Sequence, residues 1–447
     1  MKRFLWMVEL VSVCAFGGGL QERIDAASAA GGGVVRVGPG VHVSPALQLK
    51  SGVTLRLEAG AVLQAETNAA AYAATEGHAF ILADDVDNVA IEGEGVIDGG
   101  GAAFPVSSLV VFQQPRLVWF RDCRKVRVED VTFRNGRRWT CYFDRCNGVV
   151  ARRVKIRSLL QRCCDGFDIE CKNALIEDCD IETQDDAIVF KARSSDYTVS
   201  DVTVRNCRLT SNCSLIKVGT ETLGGIRNIT VEDCVCRRNT FSFAPDRREW
   251  KEFKGCGLPD GPFAYAGIAL GMLDGGRLEN VTIRRIALND SALVPVFIRL
   301  ARRGKRILPG PSVLRNVLIE DVTGAALSSI GCSITGLEDL RPSGITLRNV
   351  GLQVKTGSRL PPDPFPEIPE KGLYVGMWLG VMPAYGFYLR HADDITFENV
   401  TVRPDGTDVR PLFRADDCRR VSGTCEKADF GVTSQSKCEA DFGRRPL

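Results

Sequence analysis

The chain reads as an all-β solenoid, a parallel β-helix, on three observations. Short Val/Ile/Thr runs broken by Asn, Asp and Gly recur almost to the C-terminus, the mark of many short strands with tight turns. Nine of these runs repeat one pattern at the spacing of a solenoid coil. The 447 residues suit one elongated repeat domain as well as two or three ordinary ones.

The nine runs are VRVEDVTF, VARRVKI, LIEDCDI, VTVRNCRL, ITVEDCVC, VTIRRIAL, VLIEDVTG, ITLRNV and ITFENVTV. Each alternates apolar residues, then carries a polar pair that usually contains Asn or Asp, then an apolar position. That last position is Val131, Val154, Cys179, Cys207, Cys234, Ile286, Val322, Val350 and Val400, and its first intervals are 23, 25, 28 and 27 residues. Three longer gaps, of 52, 36 and 50 residues, fit coils that the pattern misses or coils that carry inserted loops. Stacking would set neighbouring strands roughly 4.8 Å apart, with side chains alternating between interior and solvent. A propeller or sandwich would instead need regular Asn-Gly or Asp-Gly hairpin turns, and these do not recur.

One domain is expected over 1–447, with the last coil and tail over about 403–447. An open coil is an edge that can pair with another chain, so the stack needs a cover. Gly19 to Gly33, GLQERIDAASAAGGG, supplies one: Leu20, Ile24, Ala27 and Ala30 fall on one helical face. Gly31-Gly32-Gly33 should stop that helix by admitting a left-handed terminal conformation. VVRVGPGVHV then switches to two-residue alternation.

Ahead of this, MKRFLWMVELVSVCAFGGG resembles the start of a signal peptide, but Glu9 interrupts the apolar run and no small-residue cleavage site follows. VSVCAF reads equally well as a first strand. Nothing else is long enough to span a membrane. The balance of 57 basic and 55 acidic residues gives no sign of nucleic-acid or membrane partners. Among the 17 cysteines, Cys179, Cys207 and Cys234 take the place of Val or Ile in the repeat, so they read as core thiols. Cys163-Cys164 and Cys425/Cys438 stay open, and no pair has zinc-like CxxC partners.

Two segments carry the chemistry, CCDGFDIE around Asp165 and TQDDAIVFK around Asp185 and Asp186. Asp165 and Asp186 are 21 residues apart, close to one coil, so the acids fall at matching positions on successive coils. Neighbouring carboxylates suit glycosidic cleavage, one protonated to release the leaving oxygen and another ionised to activate water or attack. A regular strand would send Asp185 and Asp186 to opposite faces, so a shared site requires a turn or bulge at Gln184-Asp185. The bland alternative is turn chemistry, and Asp130, Asp178, Asp201, Asp233 and Asp321 are read as corner residues.

CDGFDI followed by TQDDAIVFK resembles the paired signature of the polygalacturonase family, glycoside hydrolase family 28, and the later segments resemble bacterial members. The resemblance extends to GGGVVRVGPGVHVSPALQLKSGVTLRLEAGAVLQA, NVAIEGEGVIDGGG and PAYGFYLRHADDITFENV. It implies a right-handed, pectin-lyase-like β-helix and hydrolysis with inversion, with no metal or other cofactor. Asp185 would be the general acid, and Asp165 and Asp186 would hold and activate water. The implied partner is a pectin-like or other polysaccharide or oligosaccharide, and the implied location is secreted or periplasmic.

Two departures stand out. Cys213-Ser214-Leu215 replaces the family's Gly-His-Gly, and Ala269-Leu270-Gly271 replaces the Arg-Ile-Lys that contacts a substrate carboxylate. Lys191, Lys217 and Glu221 are candidate substrate contacts, each weighed against a solvated charge on the helix flank. Arg299, Arg302 and Arg303, with Lys305 and Arg306, read as a basic loop that could meet an acidic sugar or simply water. Two other functions stay open, a calcium-using polysaccharide lyase and a non-catalytic glycan-binding β-helix.

Overall fold

The computed structural model describes residues 19–76, 78–103, 114–241, 259–303, 312–357, 366–368, 370, 376–425 and 440–441. Their strands form a parallel β-helix: every ladder between strands is parallel and joins one coil to the next. The coils stack in the register that the repeat predicts, with Cys234 beside Ile286, Ile286 beside Val322, Val322 beside Val350, and Val350 beside Val400. Since these pairs are direct neighbours, the long gaps are insertions and hide no coil.

The polar pair of the repeat is a corner. The residue before each of the nine apolar positions has a left-handed backbone, from φ 52° at Asn206 and Asn349 to φ 64° at Asp130. Asn and Asp tolerate that conformation better than other side chains. All five aspartates read as turn residues have positive φ. Their amides and carboxylates bond between coils, as Asn349 does to Asp321 at 2.9 Å and Asn228 to Asp201 at 3.0 Å.

The interior is one continuous apolar column. Cys179, Cys207 and Cys234 lie in it as buried free thiols, and Cys163 and Cys164 are free as well. The side chain of Cys425, Cys438 and the VSVCAF segment lie outside the described residues. The helix Leu20–Ala29 covers the first coil through Ile24 and Ala27. Ala30 was expected on the same face but is exposed, because it is the C-cap residue where the helix ends. Gly31 and Gly32 follow with φ 91° and 123°.

The basic-loop reading also needs correction. Arg299 is a buried residue of the strand Arg277–Leu300. Arg303 pairs with Asp274, and Arg302 with Asp339 and Glu370. Lys305 and Arg306 lie outside the described residues.

Candidate active site

One face of one sheet holds the site. Leu82, Trp119, Tyr142, Asp168, Val189, Lys217, Ala269, Phe297, Ser333 and Tyr388 pair in that order across successive coils. Strand alternation sends their neighbours into the column, for example Phe167 and Ile169 on either side of Asp168. The row is apolar at both ends. Trp119 and Tyr142 belong to one small cluster, and Ala269, Phe297 and Tyr388 to another. Charge lies in the middle, at Asp168 and Lys217, and recurs at Arg414, which pairs with Tyr388.

The acids sit at the corner where each coil enters this sheet. Cys141 pairs with Phe167, Phe167 with Ile188, and Ile188 with Ile216. Two residues earlier, Trp139, Asp165, Asp186 and Ser214 therefore stack on four successive coils. The backbone agrees, since Gly166 N donates to Asp186 O at 2.8 Å and Ala187 N to Ser214 O at 2.9 Å. Gly166 is required by this approach: a Cβ there would lie 2.4 Å from Ala187 O.

The bend that a shared site requires is present. Asp185 and Asp186 lie between the strands Asp180–Thr183 and Ile188–Ala192. Hydroxyls of Thr183 and Ser211 both donate to Asp185 O, at 2.7 and 2.6 Å. Asp185 keeps partial exposure while Asp186 is buried.

Lys191 and Lys217 are not flank charges. Lys191 Nζ lies 2.9 Å from Asp165 and 2.6 Å from Asp168, and Lys217 Nζ donates to Asp186 Oδ2 at 2.7 Å. Both lysines face outward from their strands, yet the surrounding side chains cover them almost completely. Glu221 stands at the rim, 3.9 Å from Lys191 and about one third exposed. The structure thus brings all six predicted residues into one cluster.

Burial dominates the electrostatics. It pushes the carboxyls of Asp165 and Asp168 upward, with Lys191 opposing. The Asp185 carboxyl also rises, through burial and the adjacent Asp186. Burial disfavours both ammonium groups, but Asp165, Asp168 and Glu221 outweigh it at Lys191, as Asp186 does at Lys217. Glu221 is held down at about 2: Lys191 and its other contacts overcome burial. Asp168 meets Lys191 as an ion pair, with neither carboxylate oxygen in hydrogen-bonding geometry.

Cys213 occupies the corner next to the acids. One carboxylate oxygen each of Asp185 and Asp186 and the Cys213 sulfur lie within 4.8 Å of one another. That trio has the donor count of a metal site, but its chemistry fits a cation poorly. Lys217 already supplies positive charge to Asp186, and burial keeps the Cys213 thiol protonated.

Sequence reasoning missed Asp168 and Trp139. Asp168 was detectable, because it alternates with Phe167 and Ile169 three residues after Asp165. Trp139 carries no such signal. It reaches the acids through the ammonium of Lys191, 3.7 Å from its ring centroid, a contact set by stacking between coils.

Comparisons with known proteins agree with this fold. The model for glycosyl hydrolases family 28 matches residues 34–242, which include every acid and lysine of this cluster. A probable polygalacturonase of Arabidopsis thaliana is 25% identical over 158 residues, 35% of this chain and 33% of that protein. The chain spans about a third of the length of the curated relatives it matches. An exopolygalacturonase of Thermotoga maritima superposes with TM-score 0.62 at 20% identity, covering 87% of each chain. A family 28 exopolygalacturonase of Yersinia enterocolitica gives 0.64 at 18%, covering 90% of this chain and 74% of its own. At these identities the likeness is one of fold.

Proposed function

We propose that the chain, whose residues 34–242 match the model for glycosyl hydrolases family 28, hydrolyses a glycosidic bond of a pectin-like polysaccharide. The observation that carries the reading is the corner at Asp185. A partly exposed carboxyl, raised by burial and by Asp186, is suited to hold a proton to higher pH than an ordinary aspartate and deliver it to a leaving oxygen. Asp186 and Asp165 flank it on the same face. Each is fixed by a lysine ammonium, and together they are placed to hold a water for attack.

The lysines have a positioning role in this reading. Lys217 orients one oxygen of Asp186, and the other, also buried, has no hydrogen bond among the described residues. Lys191 is shared between Asp165 and Asp168, so that pair carries one more carboxylate than its ammonium can balance.

Inversion rests on the family resemblance. The spread of at most 4.8 Å from Asp185 to Asp186 is shorter than the roughly 6.5–9.5 Å that usually leaves room for water between opposed acids. The experiment is digestion of pectin fragments and other polysaccharides, with reducing ends counted and the first-formed anomer read by NMR. Asp185→Asn should lower turnover by about 10²–10⁴-fold with the thermal transition retained. An unsaturated product lost on chelation would move the protein to the lyases. Binding across a glycan panel without turnover would make it a binding module.

A further inference from the structure

The family's Arg-Ile-Lys position cannot supply a cation here. Ala269 stands beside Lys217 in the outward row, and Phe297 and Tyr388, further along it, lie with Ala269 in an apolar cluster. Between Lys217 and Tyr388 that row carries no guanidinium. On the other side Arg138 and Arg116 lie one and two coils before Asp165, and Arg193 follows Lys191 on the Asp186 coil.

Arg116 is the most informative of them. Its guanidinium carbon lies 4.2 Å from the ring centroid of Trp119, 4.8 Å from Trp139 and 5.4 Å from Tyr142. The residue is 6% exposed, and its Nε has no hydrogen-bond partner among the described residues. Arg138 lies 4.6 Å and Arg193 5.5 Å from the same Trp139 ring. Arg138 is partly exposed and Arg193 is exposed, so they form a lip above the buried Arg116.

This arrangement is costly without an anion. On the flanks several arginines end on carboxylates: Arg145 on Asp122, Arg153 on Asp130, Arg285 on Asp233 and Arg420 on Asp394. Among the described residues Arg116 ends on aromatic faces instead. Burial, followed by repulsion from Arg138, lowers its pKa to about 10. A cation nine-tenths buried beside Arg138 and Arg193, attracted by Asp168 but with no hydrogen bond to it among the described residues, is suited to a charged ligand that completes the site. Guanidinium on indole is a firm platform for a planar carboxylate, which it can meet with two parallel N–H bonds.

The site also lies within reach of the chemistry. Trp139 separates the two charge centres, with Lys191 of the acid cluster 3.7 Å and Arg116 4.8 Å from its centroid. We propose that Arg116, with Arg138 and Arg193 at its lip, binds the carboxylate of a uronic-acid residue on the earlier-coil side of Asp165 and Asp185. The carboxylate-reading function has then moved across the acids from the later coils to the earlier ones. The substrate it specifies is an acidic, unesterified uronan. This inference rests on the hydrolase reading only for the placement of the sugar chain.

The test separates the two claims. Binding of trigalacturonate and of its carboxyl-reduced neutral counterpart to the Asp185→Asn protein is measured by calorimetry, at low and high salt. The acidic trimer should bind at least about tenfold more tightly than the neutral one, with the difference shrinking in salt. Arg116→Met and Arg138→Gln should each remove most of that preference while leaving affinity for the neutral trimer unchanged. Arg138 is partly exposed, so its variant reports on the subsite even if replacement of the buried Arg116 prevents folding.

Equal affinity for the two trimers, binding of neither, or a preference that survives in Arg138→Gln would overturn the subsite. If wild-type protein cleaves the neutral trimer as fast as the acidic one, the subsite fails and the hydrolase stands. If the acidic trimer is preferred but never cleaved, the hydrolase fails and the subsite stands.

Discussion

The corner ladders on the flanks of the helix and the outward face at Asp165 are built from the same residue types on the same coils, yet they behave as opposites. On the flank, Arg153 and Asp130 pair with side chains 48% and 40% exposed. At the site, Lys191 and Asp165 are each 4% exposed, and Lys217 and Asp186 are 10% and 4%. An exposed pair contributes about 0–1 kcal/mol and loses little hydration. A buried ion carries a desolvation penalty of several kcal/mol, which its partner must offset. Repetition of charge therefore marks the solenoid, and burial of charge marks the site.

The largest effect expected from this difference is at Lys217. Lys217→Met would leave Asp186 buried beside Asp185 without its ammonium, and about 3–5 kcal/mol of stability should be lost. Chemical denaturation monitored by circular dichroism measures this directly. A companion Asp186→Asn in the same chain should restore much of the loss, because the amide needs no counter-charge. A single-variant loss below about 1 kcal/mol would put the site pair in the same class as the flank pairs.

The second effect is the sign of the pH dependence. Burial raises the carboxyls of Asp165, Asp168 and Asp185, so the folded chain holds protons that the unfolded chain releases. Their contribution is greatest at low pH and declines as pH climbs from the ordinary carboxylate range through the raised values. On the flank, hydrogen bonds from Arg153 and Arg285 lower Asp130 and Asp233. That contribution is present above the ordinary carboxylate pKa and is lost as pH falls through the lowered values. Unfolding curves across pH should show Asp185→Asn flattening the decline toward high pH and Asp130→Asn flattening the decline toward low pH. The same slope for both variants would erase the distinction. Turnover should fall on the alkaline side as Asp185 loses its proton.

The fold was legible because its causes are local. Asn, Asp and Arg at the left-handed corners, and the apolar position after them, repeat within a window of about a coil, so Cys179 and Cys207 could be placed in the column by alignment alone. The acids were legible as far as their corner: Asp165 and Asp186 are one coil apart, and the bend at Gln184-Asp185 follows from needing both aspartates on one face. What the sequence hid was depth. Lys191 and Lys217 alternate outward exactly as solvated residues would, and only the cover supplied by neighbouring coils makes them internal. Trp139 and Arg116 were hidden for a related reason, since their contacts run across coils and leave no spacing rule within one.

The smallest effect is expected at Arg153, and it tests the flank on its own terms. Arg153 holds a left-handed corner, φ 53°, between Asp130 of the preceding coil and Asp178 of the next. Replacing it with Asn removes an exposed ion pair to Asp130, a loss of about 0.2–1 kcal/mol. Asn adopts the left-handed conformation more readily than Arg, and its amide can bond between coils as Asn206 does to Asp178. The two terms oppose each other, so Arg153→Asn should leave stability within about 0.5 kcal/mol of the parent. The thermal midpoint in low and high salt checks the balance: the parent should lose a little stability in salt and the variant less. A loss of several kcal/mol would show that flank arginines carry the stack, and that the contrast with the buried lysines is one of exposure without consequence for energy.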